Sequence, residues 1–73
     1  MVPTDRIKPK MEIVGNDGEL VGVVDGIENG AELRLTKGHQ DGMHHFLPLE
    51  TVEAVDERVH LNRTSIRAMA EWR

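Results

Sequence analysis

The strongest constraint on this chain lies in one stretch, Glu19 to Glu28. Its valine-rich run (Leu20, Val21, Val23, Val24, Ile27) has a turn-forming dipeptide at each end, Asp17-Gly18 before it and Asn29-Gly30 after it. β-branched residues suit a pleated, half-buried surface better than a helix. Asp-Gly and Asn-Gly tolerate the positive φ angles that tight hairpin turns require. The run therefore predicts a strand joined by hairpins to Met11-Glu12-Ile13-Val14 on one side and to Ala31-Glu32-Leu33-Arg34-Leu35-Thr36 on the other. The latter alternates cleanly, which sets Leu33 and Leu35 inward and Glu32, Arg34 and Thr36 outward.

Gly22 and Gly26 interrupt the valine run four residues apart, a spacing that puts both on one strand face. A membrane helix could use that spacing for dimerisation, but the charges of Glu19, Asp25 and Glu28 forbid one here. In a strand, interior glycines mark bulges or the corners of a small barrel.

Further along, Lys37 to His44 reads as a polar loop, and His45-Phe46-Leu47-Pro48-Leu49 as a short strand ended by Pro48. Glu50-Thr51 turns the chain into Val52-Glu53-Ala54-Val55, in extended or single-turn form. Val59-His60-Leu61 then alternates with its histidine outward. The period changes at the end: Ile66, Met69 and Ala70 recur at helical spacing, with Trp72 three after Met69. Asn62 is the expected N-cap, with Leu61 stapled onto Ile66, and Arg67 and Glu71 form an i,i+4 pair. The expected layout is an N-terminal arm or lead-in strand over 1–10, a β-barrel of five to six short strands over 11–61, and a C-terminal helix over 62–73.

Composition narrows the function. With 73 residues and no cysteine, the chain is one small domain without a disulfide, a thiolate nucleophile or a Cys-based metal site. Leu, Ile, Val and Phe total 19, enough to expect folding rather than disorder. No apolar run approaches the roughly 18 residues of a membrane helix, and Met1-Val2-Pro3-Thr4-Asp5-Arg6 does not read as a signal peptide, so a cytoplasmic location is expected. The net charge is −4, arranged as +2 over 1–10, −5 over 11–36, −3 over 37–56 and +2 over 57–73. Net acidity argues against a binder of phosphate backbones, and Phe46 and Trp72 are too few aromatics for a stacking platform.

Two blocks carry a resemblance. One is Asn16-Asp17-Gly18-Glu19-Leu20-Val21-Gly22-Val23-Val24-Asp25. The other is Phe46-Leu47-Pro48-Leu49-Glu50-Thr51-Val52-Glu53-Ala54-Val55, continued by Asp56-Glu57-Arg58-Val59-His60-Leu61. Their order resembles the PRC-barrel superfamily. Leu35-Thr36-Lys37 and the His44-His45 pair point within it to small free-standing bacterial domains of unknown function. The resemblance covers about residues 6–61. It implies a six-stranded barrel that serves in protein interaction or assembly, and it implies no catalytic residues.

The remaining chemistry lies in the histidines. His39, His44 and His45, with Asp41 between them, offer nitrogen and oxygen donors to zinc or another divalent metal, and His60 could approach from a neighbouring strand. Adjacent His44 and His45 would point to opposite faces of a strand, so at most one serves a given site. A pH-dependent partner contact is a related possibility, because histidines titrate near neutrality. Catalysis has less support. Ser65 lacks a nucleophile-elbow context and reads as a helix cap, and Asp17, Glu19, Asp56 and Glu57 lie at turns and read as solvated. The expectation is a mainly β, non-enzymatic interaction module without a cofactor, homodimeric through Ile66, Met69 and Trp72. The alternative is a small divalent-metal binder using His39, His44 and His45.

Overall fold

The valine-rich run folds as the longest strand, paired on both sides by its hairpin neighbours. In the computed structural model, which describes residues 4–36 and 44–72, these elements are β1 (Glu12–Val14), β2 (Leu20–Glu28) and β3 (Glu32–Leu35). The β2–β3 turn takes positive φ at both central residues, Asn29 at 53° and Gly30 at 67°, and the Ala31 N–H donates to the Glu28 carbonyl at 3.0 Å. That is the hand of turn that matches strand twist. Then follow β4 (Phe46–Pro48), a single 3-10 turn (Leu49–Thr51), β5 (Val52–Val55), β6 (Val59–Leu61) and the helix α1 (Ser65–Glu71).

The strands form one sheet in the order β4-β3-β2-β1-β6-β5, antiparallel throughout except for the parallel pair β1–β6. Ile13, Val24, Leu33, Leu47, Val59 and Leu61 are its most deeply buried side chains, and they join Val52 and Val55 in one cluster that draws on all six strands. A flat six-stranded sheet spans about 24 Å from edge to edge at ~4.8 Å per strand, too far for both edges to meet one core. The sheet therefore curls around its core. It does not close: β4 and β5 are not paired with each other, and the buried Leu49 and Thr51 of the 3-10 turn bridge between them. The architecture is a barrel-like open sheet with one C-terminal helix.

Bulges produce the curl, and they correct one detail of the sequence reading. The register of β2 against β3 shifts between Val24 and Gly26, so alternation is broken within the strand. A Cβ on Gly22 would lie 2.7 Å from a methyl of the buried Leu35, whereas one on Gly26 would lie 3.1 Å from the Arg34 guanidinium. The two glycines thus face opposite sides of the sheet, not one. A second shift, between Val52 and Ala54, sends Val52 and Val55 into the core and leaves Glu53 and Ala54 outside.

Both ends differ in detail from expectation. The lead-in segment is pinned rather than free: after one 3-10 turn (Thr4–Arg6), Ile7 enters the core and the Lys10 N–H donates to the Val24 carbonyl at 2.8 Å. The helix starts later than Asn62 suggests. Its N-cap is Thr64, whose side chain accepts from the Arg67 N–H. Asn62 instead ties the chain to the 3-10 turn, with its N–H on the Thr51 carbonyl at 2.8 Å and its side-chain amide on the Glu50 carbonyl. Leu61 is buried while Ile66 is exposed, so the expected Leu61–Ile66 staple does not form. Among the described residues no helix is long and apolar enough to cross a membrane.

Candidate functional site

A seven-residue helix is too short to be stable alone, so its position depends on what holds it. At its N-terminus the chain comes so close to the β1–β2 turn that Gly15 has no room for a side chain: a Cβ there would sit 2.4 Å from the Ser65 nitrogen. The Asn16 N–H donates to the Arg63 carbonyl at 2.9 Å. Asp17 accepts from the Ser65 hydroxyl at 3.1 Å and from the backbone N–H of Ser65 and of Glu19, each at 3.3 Å. Withdrawal from water pushes the Asp17 carboxyl up, but these donors outweigh that and hold it below the usual carboxylate range. Asp17, read from the sequence as solvated, is thus the group that fixes the helix end. Ser65 is held by it rather than serving as the cap. The inward face of α1 is completed by Ala68, fully buried, and by Trp72 at the helix end, half-buried against the core.

The opposite face is apolar and uncovered. Ile66 is 79% exposed and Met69 38% exposed, with the small Ala70 beside them. Leu20, at the start of β2, is also exposed. Arg67 and Glu71 flank these residues as the expected i,i+4 pair at 3.2 Å, and Arg63 reaches Glu71 as well. The hydrogen bonds from Arg63 and then Arg67 lower the Glu71 pKa. Helical geometry separates the three aligned apolar residues: Ile66 points away from the sheet, Met69 lies on the flank, and Trp72 turns inward.

The histidines divide into two places. His39 lies outside the described residues. The His44 Nδ1 sits 2.8 Å from the Leu35 carbonyl, which can only accept, so Nδ1–H is the donor. The His45 ring stacks on Trp72, with centroids 4.0 Å apart and planes within 11°. The stack ties the end of α1 to the strand β4 region, a contact for which the sequence gives no local sign. His60 lies apart. Its Nε2 is 2.9 Å from Asp56 Oδ1, which also accepts from the Arg58 N–H, and the Arg58 side chain reaches Glu12 at 3.0 Å. The Arg58 N–H and then the His60 ring hold the Asp56 carboxyl low. Asp56, Glu57, Arg58 and His60 line a shallow depression of about 270 Å³. Among the described residues, no three His, Cys, Asp or Glu side chains are gathered to hold a metal ion.

Fold and surface together describe a small β domain whose distinctive surface is a helix face. The fold is similar to that of a solved protein described as a 16S ribosomal RNA processing protein, RimM, from Pseudomonas aeruginosa. The two agree with a TM-score of 0.60 at 17% identity, over 85% of this chain and 43% of the other. The chain thus spans less than half the length of that protein. Residues 7–69 match the family described as an uncharacterized protein conserved in bacteria (DUF2171), and the chain belongs to that family. The curated proteins include no match.

Proposed function

We propose that this chain is a non-enzymatic, PRC-barrel-like interaction module of the bacterial cytoplasm, and that it docks a protein partner on the outward face of α1. The observation that carries the reading is Ile66, 79% exposed beside Met69 on a helix whose other face is buried in its own domain. A side chain of that size left in water on so small a fold is a natural docking point. Trp72 contributes from beneath, by setting the angle of the helix through its stack on His45. The sheet edges are poor alternatives: β4 is three residues long and ends in Pro48, and β5 is bulged and carries Glu53 outward. The ribosomal RNA role of the structural neighbour is not carried over, since a net charge of −4 suits a phosphate backbone badly.

The rival reading, zinc or another divalent metal on His39, His44 and His45, has thinner support. His44 gives its Nδ1–H to a backbone carbonyl, as ligating histidines do with their second ring nitrogen, but among the described residues no three His, Cys, Asp or Glu side chains are gathered to hold a metal ion. Capture from a cell extract, with wild type and Ile66→Asp immobilised in parallel at two pH values, tests the docking reading. A partner retained by wild type and lost by the variant is the expected result. Equal retention by both overturns it, and stoichiometric zinc in the wild type that is lost in His44→Ala would favour the rival.

A further inference from the structure

We propose that Asn29, at the tip of the β2–β3 hairpin, is a site of slow chemical modification, losing its side-chain amide to attack by the backbone nitrogen of Gly30. This modification is independent of the docking surface on α1, and its reactants are the chain itself and water. The Gly30 nitrogen bonds to Asn29 Cγ, the Cγ–N bond of the side-chain amide breaks, and ammonia leaves with the proton that Gly30 gives up. Water then opens the five-membered imide at one of its two carbonyls. Opening at Cγ leaves an aspartate in the normal main chain. Opening at the backbone carbonyl of residue 29 leaves a β-linked aspartate, with one more carbon in the main chain. Either product carries one more negative charge than the parent.

The structure sorts the three asparagines of the chain. The Asn62 amide donates to the Glu50 carbonyl, its oxygen accepts from the Arg63 guanidinium, and the long Arg63 follows it. Asn16 is followed by Asp17, whose side chain crowds the attacking nitrogen. Asn29 is exposed and followed by glycine, where even an added Cβ would meet nothing within 4 Å. Among the described residues neither the Asn29 side chain nor the Gly30 N–H is hydrogen-bonded, since the bond across the turn comes from Ala31. The aspartyl-glycine pairs that share this chemistry are held instead. Asp17 accepts from Ser65 and Glu19, and the Gly18 N–H donates to the Gly15 carbonyl at 3.0 Å. The Asp25 carboxylate is bound by Arg34 at 2.7 Å.

One restraint slows the reaction. With positive φ at both central residues, a turn of this type sets the Gly30 nitrogen on the far side of the Asn29 Cα from its Cβ, so ring closure waits for the turn to open. Hairpin tips open at low free energy because little is buried there. The two products then differ in effect. Asp-Gly suits the same turn, whereas the extra main-chain carbon of the β-linked form displaces the Ala31 N–H from the Glu28 carbonyl. The new carboxylate also lies next to Glu28, which pairs with Arg34 and faces Glu32 in register.

The test holds wild type for several weeks at physiological temperature and mildly alkaline pH, folded and, in parallel, unfolded in guanidinium chloride. Digestion and mass spectrometry then locate the gain in mass that replaces an amide by an acid. The expected gain is confined to Asn29 in the folded chain and is at least several-fold faster in the unfolded one. Fragmentation by electron transfer separates the β-linked product from the normal one. Hydrogen exchange over residues 28–32 should be faster in aged wild type than in fresh, while fresh Asn29→Asp stays close to the fresh protein. A folded chain without gain at Asn29, over weeks in which the unfolded chain converts fully, overturns the proposal. Gain at Asn16 or Asn62 as fast as at Asn29 in the folded chain overturns the assignment to the hairpin tip, and equal rates folded and unfolded overturn turn opening as its control.

Discussion

Residues 20–35 are organised by neighbours close in the chain, whereas residues 62–72 are positioned by residues nearly fifty places away. In the β2–β3 hairpin, each strand pairs with the one that follows it through a three-residue connection, and Asn29-Gly30 alone sets the hand of the turn. The helix α1 is capped by Thr64 and carries its own Arg67–Glu71 pair, but nothing local sets where it lies on the sheet. It is held by Asp17 across 48 positions of sequence, by the lack of a side chain at Gly15, and by a ring stack between Trp72 and His45. The hairpin is built from pattern; the helix is seated by a few single atoms.

The largest expected effect tests the hairpin side. Leu33 is fully buried at the centre of the cluster fed by all six strands. Leu33→Ala removes its methyl groups and leaves a cavity, a loss of about 2–5 kcal/mol. For a domain this small, that is a large share of the total stability. Urea denaturation followed by circular dichroism should show an early, cooperative loss of the whole fold. Retention of helix signal after the sheet has melted would contradict the dependence of α1 on the sheet.

Next comes the helix side. Gly15→Ala places a Cβ 2.4 Å from one backbone atom and 2.9 Å from another, neither of which can rotate away. The helix entry must shift, at a cost of about 1–3 kcal/mol, the range for overpacking that moves backbone. Hydrogen exchange is the discriminating readout. Protection should fall first in residues 65–71 while β2 and β3 keep theirs, and a uniform fall across the chain would mean that helix and hairpin form one cooperative unit.

The same contrast explains what could be read from the sequence. The β2–β3 hairpin, its alternating Leu33 and Leu35, and the Arg67–Glu71 pair were legible because their causes lie within a few residues. The existence of bulges was legible from Gly22 and Gly26, but the side each glycine faces was not. One inserted residue between Val24 and Gly26 reverses the count, and no local signal states where the insertion falls. Asp17 looked like an ordinary turn carboxylate because the donors it accepts from on Ser65 come from the far end of the chain. Thr64 and Asn62 are both good caps by type, and the choice fell to Thr64 because Asn62 is needed to hold the 3-10 turn. Of the candidate surface, Ile66 and Met69 were legible by spacing. Trp72 separates from them because residues three apart drift round a helix of about 3.6 residues per turn, which carries the third of them to the inward side.

Acid titration sharpens the comparison with a smaller effect. Asp17, Asp56 and Glu71 are held below their ordinary values of 3.8, 3.8 and 4.5. A carboxyl whose pKa falls on folding contributes stability that is complete above the unfolded value and is lost as pH falls through the folded one. The thermal midpoint should therefore hold from neutrality down to the ordinary carboxylate range and decline below it. Two of the three groups, Asp17 and Glu71, serve the helix. Asp17→Asn should lower the midpoint near neutrality and flatten the acid limb, so that variant and wild type converge at the lowest pH. Parallel curves would show that Asp17 contributes no charge-dependent hold on α1.

The smallest expected effect on stability separates the two faces of α1 itself. Ile66 leaves most of its surface in water, so Ile66→Asp removes little that is packed. It also places a carboxylate at the second position after the Thr64 cap, where the helix dipole favours negative charge. These two effects oppose each other, and the thermal midpoint should move by no more than about 0.5 kcal/mol in equivalent stability. Ala68, fully buried two residues on, cannot make the same change without exposing the core. If Ile66→Asp destabilises the fold as strongly as Gly15→Ala, its side chain is part of the seat of the helix rather than its free face. The docking surface would then lose its anchor. If stability is retained while partner capture is lost, the two faces of a seven-residue helix carry separate duties, one to hold the fold and one to meet a partner.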